Sequence, residues 1–169
     1  LALALAGVKP KFTATGDGLE KLRELAKQLE VRPEIHLGIL GGVGAQAVPG
    51  SNLTMAELGA IHEFGAPRAG VPERSWLRAT ADAKRREWLA LLERTLTLAA
   101  RGRLDVGAAL ELVGQRAVAD VQRRIRANIA PPLAQATIDR KGSSVALIDS
   151  GRFVQSITYE VVSGRQSGR

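Results

Sequence analysis

The chain has 169 residues, with 24 Lys and Arg against 17 Asp and Glu, two histidines and no cysteine. That length suits one domain with a core of its own, and the composition excludes disulfides, thiolate metal sites and a histidine-rich centre. The net charge of +7 is uneven: residues 1–100 carry 13 basic against 11 acidic side chains (+2), and residues 101–169 carry 11 against 6 (+5), a balance that suits a polyanion or docking on acidic neighbours.

The opening LALALAG has no basic leader and an apolar run too short for a signal or a membrane span, so residues 1–7 read as an arm or remnant. Val8–Thr15 alternates as a strand, with Val8, Pro10, Phe12 and Ala14 on one face. Asp17 offers an N-cap, and Leu19, Leu22, Leu25, Ala26 and Leu29 stripe an amphipathic helix over Leu19–Leu29 that Pro33 stops. Glu34–Leu40 alternates Ile35, Leu37 and Ile39 with Glu34, His36 and Gly38 as a half-buried strand. Gly41–Asn52 reads as a loop. Thr54 or Asn52 caps a short helix, Met55–Phe64, with Glu57 and Glu63 on its wet side and Gly65 ending it. Ala66–Glu73 is a loop carrying Pro67 and Pro72. Ser75 caps a long helix from near Trp76, whose apolar face takes Trp88, Leu91, Leu92, Thr95 and Leu98 or Ala99. Gly102 interrupts it. Asp105 caps a second piece, Val106–Ile129, which Pro131–Pro132 closes. A loop with a helical turn at Leu133–Arg140, a short helix through Phe153 and Ser156, and a closing strand Ile157–Val162 follow. The domain is expected over residues 8–162, with 163–169 a loose tail.

No segment has the layout of a catalytic or metal site. Gly38–Gly44 follows a strand, but Pro49, Gly50 and Ser51 come where a nucleotide-binding helix has to start, and no lysine stands at Walker spacing. His62–Glu63 lacks the second histidine four residues on, since position 66 is alanine. Asp105, Asp120, Asp139, Asp149 and Glu160 are scattered and read as caps or surface partners, not as a Mg²⁺ cluster. The reading is therefore of a protein without enzymatic activity or cofactor.

The arginines carry more. Arg116, Arg123 and Arg126 fall near one side of the Val106–Ile129 helix, with Arg124 on a flank, opposite Val118, Val121, Ile125 and Ile129. Such an edge can run along phosphates by charge alone, or be a solvated face balanced by Glu111 and Asp120. On this reading, alanine at Arg123 and Arg124 leaves the fold intact. No aromatic is interleaved, so base stacking is not indicated.

Two segments stand out: AELGAIHEFGAPRAGVPERSWLR at Ala56–Arg78 and IDSGRFVQSITYEV at Ile148–Val161. The first joins a short helix, AELGAIHEFG, through a proline-bearing loop to VPERSWLR, which carries Trp76. The second ends the longer stretch Thr137–Val161. In this order, over roughly Glu34 to Val162, they resemble the tail-completion or neck (head–tail joining) proteins of long-tailed bacteriophages. The resemblance implies an α+β fold, a small antiparallel sheet packed by two or three helices including a long, interrupted one. It implies a structural virion protein at the head–tail junction, made in the host cytoplasm. There it forms a homo-oligomeric ring, six-fold or twelve-fold, around the DNA channel. Its neighbours are head-connector and tail-tube or terminator proteins, and it has no membrane partner. Arg116, Arg123, Arg124 and Arg126 become candidate contacts to packaged DNA. Val48, Pro49, Pro67, Arg68, Pro72, Arg140 and Lys141 become candidate interface-loop residues. Phe64, Trp76, Leu77, Phe153 and Tyr159 become fold anchors. The alternatives are a basic DNA-binding protein of a mobile element and, third, a small hydrolase or nuclease.

Overall fold

The computed structural model describes residues 2–3, 17–132, 139, 147 and 151–163. In chain order the elements are β1 (Ala2–Leu3), α1 (Asp17–Glu30), β2 (Pro33–Gly38), α2 (Gly41–Gly44), α3 (Met55–Phe64), one 3-10 turn (Pro67–Ala69), α4 (Arg78–Ala100), α5 (Val106–Arg126), α6 (Arg152–Gln155) and β3 (Thr158–Ser163). This is the α+β class expected from the sequence: a small sheet in strand order β1-β2-β3 with two long helices. β1 lies within the stretch read as an arm and pairs antiparallel with β2, Ala2 opposite His36 and Leu3 opposite Ile35. The strand expected at Val8–Thr15, the helical turn at Leu133–Arg140 and the tail beyond Ser163 lie outside the described residues.

Contacts group the chain into two compact units, one holding Leu37–Lys84 and Val118–Tyr159, the other Ala2–His36, Arg85–Ala117 and the chain from Glu160. In the second unit the two long helices form a hairpin across Arg101–Asp105. Trp88, Leu92, Leu96 and Ala100 recur every fourth residue and are buried with Val106, Ala109, Leu110, Val113 and Ala117 of α5. Thr95 is buried too, its hydroxyl donating to the Leu92 carbonyl at 3.1 Å. The face thus runs through Leu96, while Leu98 is turned outward. Asp105 Oδ1 accepts from the Ala108 amide at 3.2 Å, the cap expected of it. On α1 only Leu25 of the predicted stripe is fully buried, and Leu19 is exposed. β2 alternates as predicted through Leu37: Ile35 and Leu37 are buried, and His36 on the wet face lies 3.2 Å from Glu34 and 3.4 Å from Glu160 of β3. The strand then ends at Gly38, which is buried, and Ile39, expected on the core face, is half-buried beyond it.

The first unit buries Leu37, Met55, Trp76, Ala81, Val121, Ile125, Leu147, Phe153, Val154 and Ile157. Gly41–Asn52 is more ordered than a plain loop. Its first residues form α2, and an antiparallel bridge between Ala47 and Thr54 closes the rest, with Val48 N donating to Leu53 O at 2.8 Å. Thr54 begins α3 through a reciprocal capping box: its hydroxyl accepts from the Glu57 amide, and Glu57 accepts from the Thr54 amide. The second long helix stops at Arg126, three residues before the predicted Ile129. Asn128 sits at φ 59, a left-handed conformation that asparagine tolerates and that ends the helix.

Candidate functional site

The last turn of α3 carries an acidic residue, Glu63, where the helix dipole disfavours negative charge. The chain then reverses. Gly65 takes φ 74 and ψ 168, and a Cβ there would lie 2.8 Å from the Glu73 backbone nitrogen. Only glycine occupies that backbone region comfortably, so Gly65 is fixed by both conformation and space. Ala66 and Val71 pair across a four-residue tip, with reciprocal backbone bonds of 2.8 and 3.1 Å. The Arg74 amide donates back to the His62 carbonyl at 2.8 Å. This hairpin returns the start of α4 to Glu63.

There Glu63 acts as a long-range cap. Its carboxylate accepts from the amides of Trp76 and Leu77 at 2.8 Å and of Arg78 at 3.0 Å. It also accepts from the Ser75 hydroxyl at 2.8 Å and Arg78 Nε at 2.9 Å. The residue is 4% exposed. Burial alone pushes its carboxyl pKa up, but the Leu77 and Arg78 amides, the Ser75 hydroxyl and the Arg78 guanidinium together hold it below the ordinary value. The positive end of α4 thereby offsets the unfavourable end of α3. Glu63 was expected on the exposed face. It is buried because the hairpin brings it three orphan amides from a distant helix, a match that helical periodicity does not encode.

Trp76 anchors the same turn. It is 3% exposed, its Nε1 donates to the Gly59 carbonyl at 3.0 Å, and its own carbonyl accepts from Thr80 Oγ1 at 2.6 Å. Gly59 leaves room for this approach: a Cβ there would lie 2.7 Å from Ile39 Cδ1 and 3.4 Å from Trp76 Cζ2. Phe153, from the second distinctive segment, meets Trp76 edge-to-face at 5.4 Å and His62 at 5.8 Å. Gly151 at φ 77 turns the chain into α6, and the Ser156 hydroxyl closes α6 on the Phe153 carbonyl at 2.7 Å. The two distinctive segments, far apart in sequence, thus converge on one buried cluster.

Around it, arginines bind carbonyls. Arg74, 5% exposed, donates from Nε and Nη2 to the Pro131 carbonyl at 3.1 and 2.8 Å. Burial lowers its guanidinium pKa from the ordinary value. Arg124 Nε donates to the Ser75 carbonyl at 3.0 Å. Beside them lies an open cleft of about 510 Å³ lined by Glu73, Ser75, Arg124, Ala127, Ile129 and Ala130.

The other predicted residues fall as follows. Arg116 is exposed and pairs with Glu87 at 3.4 Å, while Arg123 holds the buried Asp120 at 2.6 Å. Asp120, read as a cap or surface partner, is therefore an interior carboxylate. Arg126 is exposed in the last turn of α5. Since Arg123 and Arg124 serve internal partners, their joint removal is expected to weaken the fold, contrary to the reading from sequence. Leu77 and Tyr159 are half-buried. Phe64 departs from an anchor's position: it is 62% exposed, with the Arg78 guanidinium 4.6 Å above its ring. The α3 face that turns inward carries Gly59 and Glu63, which leaves Phe64 outside. Val48 is half-buried, and Pro49, Pro67, Arg68 and Pro72 are exposed. Arg140 and Lys141 lie outside the described residues. The signal that could have revealed Glu63 was its place in the last turn, two residues before a helix-ending glycine, where an acid has no local reason to be.

Among the described residues no group of three or more His, Asp or Glu is placed to hold a metal ion, and no helix is long and apolar enough to cross a membrane. No family model, curated protein or solved structure matches this chain.

Proposed function

We propose that this chain is a structural virion protein of a long-tailed bacteriophage. It forms a ring at the head–tail junction and joins tail to head around the DNA channel. The reading rests on the resemblance of Ala56–Arg78 and Ile148–Val161 to neck and tail-completion proteins. The observation that carries it is the use to which those segments are put. Gly59, Glu63, Trp76 and Phe153 hold one another, and Gly65 turns the chain into an exposed hairpin. Residues that fix shape so tightly suit a part that docks. The exposed Pro67 and Arg68 stand on that preformed hairpin, Phe64 is exposed at the end of α3 beside it in sequence, and together they are the contact arm of the proposal. An arm already ordered loses little conformational entropy on assembly.

Sedimentation velocity across a concentration series, with negative-stain imaging of the heaviest species, tests the reading. It predicts a discrete closed ring whose population rises with concentration. A chain that stays monomeric at every concentration, alone and with head-connector or tail-tube proteins, contradicts it. The charge of +7 favours a second reading, a basic DNA-binding protein of a mobile element. That reading predicts tight duplex binding by an isolated monomer or dimer, falling steeply with salt.

A further inference from the structure

We propose that the corner formed by Lys21 of α1 with Arg101 and Arg103 of the turn between α4 and α5 is a binding surface for the phosphate backbone of duplex DNA. All three side chains belong to one compact unit and are exposed. The turn is tightly held: the Arg101 amide donates to Thr97 O at 3.3 Å, Gly102 to Ala99 O at 2.8 Å and Arg103 to Leu98 O at 2.9 Å. Gly102, at φ 67, makes the reversal, and the Lys21 side chain lies against it. Lys21 Cε and Nζ are 3.3 Å from the point a Cβ on Gly102 would occupy. The ammonium group therefore lies against the glycine that separates the two arginines in sequence, and a Cβ there would press on it.

Among the described residues none of these three side chains makes an ion pair. Two acids close in sequence to these cations have tasks of their own. Asp105 caps α5 through Ala108, and Glu24 accepts from Gln28 at 3.1 Å. Three exposed cations, two flanking the glycine that the third touches, suit a polyanion that displaces its own counterions to meet them. By contrast Arg116, Arg123 and Arg124 of α5, the basic edge conspicuous in the sequence, have partners within the chain. Among the described residues the corner offers no exposed aromatic to stack on bases, so the proposed contact is to phosphates and carries no sequence preference. It deepens the junction reading, because a ring around DNA must meet phosphates. It is measured separately, on duplex binding and not on oligomeric state.

The test is fluorescence anisotropy of a duplex of about 30 base pairs, titrated with the full chain at several salt concentrations. Three neutralised phosphates contribute about 2.7 to the slope of log affinity against log salt, or about 40-fold between roughly 50 and 200 mM. The K21Q/R101Q/R103Q variant should lose about that much slope, and each single substitution about a third of it. R116Q/R126Q should lose about one unit or less. Circular dichroism and the thermal midpoint report folding, and the single variants carry the test should the triple one unfold. An unaltered chain that fails to bind the duplex at low salt overturns the proposal. So does a triple variant with the slope intact, a larger loss in R116Q/R126Q, or binding to anionic phospholipid vesicles without binding to DNA.

Discussion

Replacing Glu63 should be the most damaging single polar substitution in the chain. Glu63→Ala leaves the amides of Trp76, Leu77 and Arg78, the Ser75 hydroxyl and Arg78 Nε without their acceptor. Breaking a buried charged contact from one side costs about 3–5 kcal/mol, and each buried amide left without a partner about 1–3 kcal/mol. These are overlapping accounts of one loss, and Arg78, with a side chain 49% exposed, can turn to water. We therefore expect about 3–4 kcal/mol for alanine and about 2 kcal/mol for Glu63→Gln, which keeps one acceptor oxygen but turns an NH₂ toward donors. In urea, where the slope is about 1–3 kcal/mol per molar, the alanine variant's midpoint should fall by about 1–4 M. The effect also has a pH signature. The carboxyl is held below its ordinary 4.5 in the folded chain, so ionisation favours the fold above that value. This stabilisation is lost as pH falls through the folded-state pKa. The gap between the native chain and Glu63→Gln should be full at neutral pH and close in acid. A midpoint change worth less than about 1 kcal/mol, or a gap indifferent to acid, refutes the capping account.

Gly65→Ala should lose about 2–4 kcal/mol, because it combines a backbone region reserved for glycine with a Cβ pressed on the Glu73 backbone; an unchanged thermal midpoint contradicts this. Trp76→Ala should lose about 3–5 kcal/mol in chemical denaturation, and Trp76→Phe, which loses the bond to Gly59 and part of the ring but keeps most of the packing, clearly less. Alanine at both Arg123 and Arg124 should lower stability by about 1–2 kcal/mol, since Asp120 and the Ser75 carbonyl each lose a donor; equal unfolding curves would show those bonds to be dispensable. Phe64→Ala should cost less than about 1 kcal/mol of stability, yet weaken self-association in sedimentation. A large stability loss there would return Phe64 to the core.

Local rules made much of the fold legible. Thr54 and Glu57 spell a capping box, Asp105 an N-cap, and the alternation around Ile35 and Leu37 a one-sided strand. Each of these depends on neighbours within a few residues. What escaped depends on distant ones. Glu63 looks polar and exposed on its own helix, and only the returning hairpin gives it amides to bind. Phe64 looks like an anchor by composition, yet the inward face is set by Gly59, where Trp76 and Phe153 approach. Asn128 ends α5 before the apolar pattern runs out, because a backbone turn overrides periodicity. Of the candidate site, Trp76 and Phe153 could be chosen from sequence as large residues in distinctive segments. Their meeting with each other could not, for it joins residues separated by the two long helices.

The central claim is that this chain works by docking as one part of a ring between capsid and tail. A reconstruction of the intact phage particle measures it most directly. The account predicts copies of this chain arranged around the DNA channel at that level, with the Ala66–Val71 hairpin against a neighbour. A particle in which no copy occupies that level contradicts it.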